Sequence, residues 1–188
     1  MKLGSLAACI LLAVLPAVLP AACTAMSTYP PVDGKPVSTP NVSPGPEVMA
    51  GAIREAARQV APGKPIVFNL PAGLAEHTWN RVAFLLPDTA RAMEPEDEEV
   101  FSVKQLRIFG GTAEVDVVYR ERGVYQLMTV KLNGGPLAGW SVAWAYRWLL
   151  PEQKPTPNDP LQKSEMAQVN ETAPAAKTTA ADEEDNAK

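Results

Sequence analysis

The chain has 188 residues, of which 46% are hydrophobic, so it is long and apolar enough to form one folded domain. The net charge is −4 and the sequence contains no basic stripe, which argues against nucleic acid as a partner. The only cysteines are Cys9 and Cys23, and both precede the domain, so a disulfide framework within it is excluded.

The first residues follow the pattern of an export signal. Lys2 provides a short positive start, an apolar run extends from Leu3 to Leu19, and small residues follow. This order is typical of a cleaved signal sequence, which we place at residues 1–22. The alternative is an N-terminal anchor that is not cleaved, which has the same topology and changes only the mode of attachment.

The segment Leu19-Pro20-Ala21-Ala22-Cys23 resembles the lipobox of bacterial lipoproteins. It departs from that family at Pro20, where the family normally has leucine or another aliphatic residue. The resemblance implies that Cys23 becomes the first mature residue, carries acyl chains and attaches the protein to a membrane of the cell envelope. Ordinary cleavage after Ser27 is the alternative, because small residues at suitable spacing precede that position, and it would give a secreted or periplasmic soluble protein.

Proline divides the mature chain into a folded part and two flanks. Six of the 19 prolines lie between Pro30 and Pro46, and five follow Leu150. We therefore predict a Pro-rich tether at residues 23–45, a single domain at 46–150 and a disordered tail at 151–188. The tail contains eight acidic and four basic residues, so it carries most of the negative charge.

The domain is predicted to begin with an amphipathic helix. This helix starts between Ser43 and Pro46, because proline suits a first helical position, and it ends near Ala61, before Pro62-Gly63. Its apolar residues recur at helical spacing and define a side that faces the core: Val48, Met49, Ala52, Ile53, Ala56 and Val60.

A second helix and a short strand are predicted next. Ile66 to Leu70 is a strand candidate, and the helix extends from about Glu76 to Leu86, where Pro87 stops it. Thr89 to Met93 is predicted to add a further helical turn. One side of the second helix is apolar: Trp79, Val82, Ala83 and Leu86.

After Glu99 the hydrophobic pattern changes to the period of two that is typical of strands. Glycine-containing turns divide this region into four predicted strands: Val100–Phe109, Ala113–Arg120, Val124–Leu132 and Gly139–Leu149. Three short turns in succession favour an antiparallel meander. The predicted class is α+β, with two N-terminal helices packed on a four-stranded antiparallel meander, similar in outline to cystatin-like and NTF2-like domains.

Aromatic residues alternate along the last strand. Trp140, Trp144, Tyr146 and Trp148 are predicted to lie on one face of the sheet, and strict alternation favours a position in the core, against the helices. The other interpretation is that these four residues line a ligand pocket or a carbohydrate platform.

Three further groups contain residue types that can carry chemistry. His77 is the only histidine and has no second histidine or cysteine in the domain to share a metal, so an exposed or helix-capping role is favoured. The acidic residues from Glu94 to Glu99 lack the alternation and the central glycine of a calcium loop, which favours a solvated loop. Asp116 and Glu114 are expected to pair with Arg107, Arg120 or Lys131 on a solvated face.

Each of these groups is explained better by a structural role than by catalysis. We therefore expect neither an enzyme nor a metal or other cofactor. The sequence leaves two classes of function open. The first is a membrane-tethered, non-catalytic envelope module that interacts with another envelope protein or a cell-wall component. The second is a domain that binds a small apolar ligand in a concave sheet.

Overall fold

The computed structural model describes residues 26–33, 35, 39–135 and 138–160. The predicted signal sequence, Cys23 and residues 161–188 of the predicted tail lie outside this part of the chain. The described part contains nine elements, in chain order β1 (Met26–Tyr29), α1 (Gly45–Val60), β2 (Val67–Asn69), α2 (Glu76–Leu85), β3 (Arg91–Ala92), β4 (Phe101–Phe109), β5 (Thr112–Glu121), β6 (Val124–Gly135) and β7 (Gly139–Glu152).

The strands form one mixed sheet in the order β3-β2-β4-β5-β6-β7, and β1 pairs with β4. Strands β4 to β7 are successive antiparallel neighbours, whereas β2 runs parallel to both β3 and β4. The expected fold, two helices on a four-stranded antiparallel meander, is therefore wrong: the sheet has seven strands and is mixed. The expected similarity in outline to cystatin-like and NTF2-like domains depended on that four-stranded meander, and it is wrong for the same reason.

β2 lies within the strand candidate at Ile66–Leu70, whereas β1 and β3 are strands that the sequence pattern did not predict. β1 and β3 contain four and two residues, too few to show a clear period of two, and β1 precedes a proline-rich stretch. The predicted helical turn at Thr89–Met93 is also wrong, because Arg91 and Ala92 pair with Val67 and Phe68. Such strands are defined by their pairing with distant residues, which local sequence does not reveal.

Helix α1 covers one face of the sheet, which we call the inner face. The residues predicted for its apolar side are buried, except Val60, which is partly buried, and Gly51 lets the backbone approach β6 closely. A Cβ atom at Gly51 would lie 2.8 Å from Leu132 Cδ2. Opposite α1, the inner-face residues of β5 and β6 are equally inaccessible: Ala113, Val115, Val117, Tyr119, Met128, Val130 and Leu132.

Helix α2 is capped by a residue far away in the sequence. Its own N-cap residue, Ala75, makes no side-chain capping bond. Instead, the Asn41 side-chain oxygen accepts hydrogen bonds from the Ala75 N–H at 2.9 Å and from the Thr78 hydroxyl at 2.7 Å. His77 Nε2 lies 3.1 Å from the Asn41 carbonyl oxygen. The segment before α1 is thereby attached to the start of α2.

Both segments that flank the predicted domain contribute to the sheet layer. β1 pairs with Leu106–Phe109 of β4, although it lies in the segment predicted to be a tether. Strand β7 continues past Leu150, and Asn158 donates its backbone N–H to Asn69 Oδ1 at 3.1 Å. Asn69 in turn donates to the Thr156 carbonyl oxygen at 2.9 Å.

The packing of α1 on the inner face predicts a large stability difference between two leucine variants. Leu132 is 0% exposed and Leu149 is 87% exposed. We expect Leu132→Ala to lower the free energy of unfolding by about 2–5 kcal/mol, because it removes buried methyl groups and leaves a cavity. Leu149→Ala should change it by no more than about 0.5 kcal/mol. Urea denaturation of both variants tests this, and equal losses would contradict the assigned core.

Candidate functional site

The face of the sheet opposite α1, the outer face, carries the most exposed aromatic residues of β7. Trp144, Tyr146 and Trp148 are 46%, 55% and 42% exposed, and we call these three the aromatic row. Trp140, by contrast, is half-buried and packs against the core. The expectation that the whole stripe faces the helices is therefore wrong for the aromatic row.

A β-bulge explains why the alternation breaks. Val142 lies opposite Leu132 and Trp144 lies opposite the adjacent Lys131, so Ala143 is the extra residue of β7. Because side chains alternate between faces with a period of two, one extra residue moves all later side chains to the other face. Trp140 precedes the bulge and therefore lies on the inner face of the sheet. A ligand pocket that combines Trp140 with the aromatic row stays a prediction, and the bulge separates its members.

Trp148 is held in place by a chain of hydrogen bonds across the outer face. Its indole Nε1 donates to Thr129 Oγ1 at 2.9 Å, and that hydroxyl donates to Asp116 Oδ1 at 2.6 Å. Arg107 donates two hydrogen bonds to Asp116, at 2.8 and 2.9 Å. The Asp116 carboxylate raises the pKa of the Arg107 guanidinium. These contacts fix the orientation of the indole.

The charged residues around this chain form cross-strand ion pairs. Arg107 Nε lies 3.6 Å from Glu114 Oε2, and Lys131 Nζ lies 4.0 Å from Glu114 Oε1. The expected pairing of Glu114 and Asp116 with basic residues of neighbouring strands is confirmed for Arg107 and Lys131. Asp116 has its oxygens engaged by three donor atoms, an arrangement that orients the side chains around it.

The rings of the aromatic row do not form a flat surface. Tyr146 and Trp148 contact each other edge to face, with centroids 4.7 Å apart and an interplanar angle of 71°. Lys131 Nζ lies 5.8 Å from the centroid of the Trp144 ring, within the range of a cation–π contact. Rings at such angles present edges as well as faces, which suits an irregular apolar partner better than the flat ring of a sugar.

Strand β7 is also the last strand of the sheet on its side. Among the described residues, no strand pairs with the edge of β7 that faces away from β6. This edge is 14 residues long, and Arg147 is the only charged residue before Glu152. The charge of Arg147 is not placed to prevent strand pairing at this edge. Its guanidinium donates to the Gln59 carbonyl oxygen at 2.8 Å and lies 3.4 Å from Glu121. Long edges without charges are templates for strand pairing.

A groove of about 690 Å³ lies at the other side of the outer face, beneath the segment after β7. The groove is lined by prolines and by polar residues, including Asn69, Ser102 and Asn158. Two of the lining residues form an ion pair, in which Lys104 Nζ lies 2.8 Å from Glu152 Oε1. No aromatic residue lines this groove, so it is separate from the aromatic row.

The acidic loop is paired with basic residues that lie in different directions. Asp97 binds Arg91 through two hydrogen bonds of 2.6 and 2.7 Å, Glu98 contacts Arg120, and Glu99 lies 3.2 Å from Lys64. Within the described ranges, no cluster of three or more histidine, cysteine, aspartate or glutamate residues is placed to hold a metal ion. The geometry is that of a loop held by separate ion pairs.

The pairing of Asp97 predicts a pH-dependent contribution to stability. The Arg91 hydrogen bonds lower the pKa of Asp97 from its ordinary value, with a smaller contribution from the Glu94 backbone N–H. The folded state therefore gains from the carboxylate above the unfolded pKa of about 3.9 and loses this gain as the pH falls through the lower, folded value. Because the pair is near the surface, the gain is at most about 1 kcal/mol.

Asp97→Asn tests this with the shape of the side chain preserved. The variant should melt below the parent at pH 7, and the difference should shrink toward zero as the pH is lowered below about 4. Thermal unfolding over this pH range measures the effect. A difference in melting temperature that stays constant with pH would show that the carboxylate charge contributes nothing.

No family model, curated protein or solved structure matches this chain. In the part of the chain that the structure describes, neither helix has the length and apolar character needed to cross a membrane. The candidate site is therefore assigned from the geometry of the described residues. Sequence analysis singled out the aromatic residues but missed the open edge, Thr129 and the bulge that turns the aromatic row outward.

Proposed function

We propose that this protein is a membrane-tethered, non-catalytic module of the cell envelope that binds another polypeptide along the open edge of β7. The single observation that carries the proposal is the position of the aromatic row, exposed and immediately beside an unpaired edge. A partner strand that adds to such an edge gains backbone hydrogen bonds, and its alternate side chains gain apolar contacts.

The size of the exposed apolar surface supports binding. A whole aromatic side chain offers about 150–250 Å², so the aromatic row exposes on the order of 300 Å² at its fractional exposures. Leu149 and Leu150, 87% and 68% exposed, are further exposed apolar residues near the end of β7. Contiguous apolar patches of this size on soluble domains commonly mark binding sites.

The alternative function, binding of a small apolar ligand in a concave sheet, has less support. The inner face is packed against α1, and its central residues Val115, Met128 and Val130 have no accessible surface. A filled inner face leaves no space for a ligand there, which favours a role in interaction. The edge-to-face geometry of Tyr146 and Trp148 likewise favours a polypeptide over a cell-wall glycan.

The tether of the proposal rests on Cys23 and is tested by substitution. We expect Cys23→Ser to move the protein from the membrane fraction to the soluble fraction and to remove the acyl mass from the intact protein, because Cys23 is the residue proposed to carry the acyl chains that anchor it. Cys9→Ser is the matched control, because Cys9 lies within the predicted signal sequence and should leave acylation unchanged. Acylated, membrane-bound Cys23→Ser protein would reject the tether.

The binding edge is tested by photo-crosslinking in living cells with a matched pair of exposed aromatic positions. A photoreactive phenylalanine analogue replaces Tyr146 in one variant and Phe84, which is 78% exposed on α2, in the other. We expect a discrete, protease-sensitive adduct from position 146 only, and we expect Trp144→Lys to abolish it. An adduct that cell-wall hydrolases digest would identify a glycan partner instead, and equal adducts from both positions would reject the edge as the site.

A further inference from the structure

The distance between Cys23 and the first strand limits how the domain can stand on a membrane. Strand β1 begins at Met26, three residues after Cys23. Because a chain spans at most about 3.6 Å per residue, Met26 lies within about 11 Å of the anchored cysteine. The proline-rich residues that follow β1 come after this attachment point, so they cannot act as a spacer between the membrane and the sheet.

The strand register then shows which end of the sheet is close to the anchor. Met26 pairs with Phe109, which pairs with Thr112 across the β4–β5 turn. Thr112 pairs with Asn133 of β6, and Asn133 pairs with Ser141 of β7. These five residues lie along one end of the sheet, which we call the near end.

The same strand register defines the opposite end of the sheet, which we call the far end. Phe101 pairs with Tyr119, Glu121 pairs with Val124, and Tyr125 pairs with Glu152. Nine residue steps of β6 separate Val124 from Asn133, a distance of about 30 Å at the rise of a strand. An anchor that reaches only about 11 Å keeps the near end at the bilayer surface, and the far end lies about 30 Å farther along the strands.

The distribution of charge along the sheet agrees independently with this orientation. No Asp, Glu, Lys or Arg occurs among the described near-end residues of the sheet, which comprise Phe109–Thr112, Asn133–Gly135 and Ala138–Ser141. The far end, in contrast, carries Glu121, Arg122 and Glu152. Phe109 adds a half-buried aromatic ring at the near end, and aromatic residues are favoured at the membrane–water interface.

We infer that the near end of the sheet is a lipid-contacting surface, on which the domain stands upright with β7 extending away from the bilayer. This inference rests on the anchoring of Cys23 in the proposed function. The described turn residues of the sheet carry no charge of their own to desolvate, and Glu47 at the start of α1, which lies over the same end, is paired with Arg81 at 3.2 Å. The aromatic row then lies progressively farther from the membrane, accessible to a partner from the side.

Fluorescence quenching in vesicles tests the orientation with two labels on the same strand. The acylated full-length protein is reconstituted into vesicles of phosphatidylethanolamine and phosphatidylglycerol that contain a lipid with a nitroxide headgroup. Asn133→Cys and Val124→Cys, both at exposed positions, each receive a thiol-reactive fluorophore. Acylation blocks the Cys23 thiol, so the introduced cysteine is the one that reacts.

We expect the label at position 133 to lose more than half of its fluorescence and the label at position 124 to remain unquenched. Equal quenching of both labels would show that the domain lies flat, and stronger quenching at position 124 would invert it; either result overturns the inference. Intact mass is measured on the same samples. Acylated protein with equal quenching rejects the orientation alone, whereas protein that lacks acyl mass and does not float with vesicles rejects the anchor as well.

Discussion

The structure depends on the burial of the inner face of the sheet beneath α1. This contact excludes water from the apolar residues of β5 and β6, and it requires a helix whose backbone can approach the sheet closely, as it does at Gly51. Burial of apolar surface is the dominant favourable term in folding, so the position of every other element follows from this layer. With one face fully used for stability, binding is left to the outer face and to the edges of the sheet.

The parts of the fold that could be predicted are those that local sequence defines. The helical spacing of Val48 to Val60 and the turn at Pro62-Gly63 define α1, and the glycine-containing turns separate β4 to β7. Each of these signals lies within a few residues of the element that it defines. The predicted starts and ends of these elements therefore lie close to the observed ones, with β6 and β7 each extending three residues beyond the prediction.

The parts that could not be predicted depend on contacts between distant residues. Strands β1 and β3 exist because their backbone groups find partners elsewhere in the chain, and Asn41 caps a helix 34 residues away. The bulge at Ala143 is the most consequential case, because a single extra residue has no signature in the hydrophobic pattern. It exchanges the faces of the sheet for Trp144, Tyr146 and Trp148, and so it turns an expected core into an exposed surface.

The short link between Cys23 and β1 also bears on a hazard that open edges create. Two copies of a long uncharged edge strand can pair antiparallel with each other, which begins aggregation in many proteins. In this protein such a pair would turn one copy end over end and place the two anchoring cysteines on opposite sides of the joined sheet, separated by about 30 Å along the strands. If Cys23 is the anchor and each sheet stands upright, as we propose, two copies in one bilayer cannot adopt that arrangement. The anchor we propose would thus prevent the β7 edges of two copies from pairing with each other. A strand of another protein that runs toward the membrane could still pair with β7.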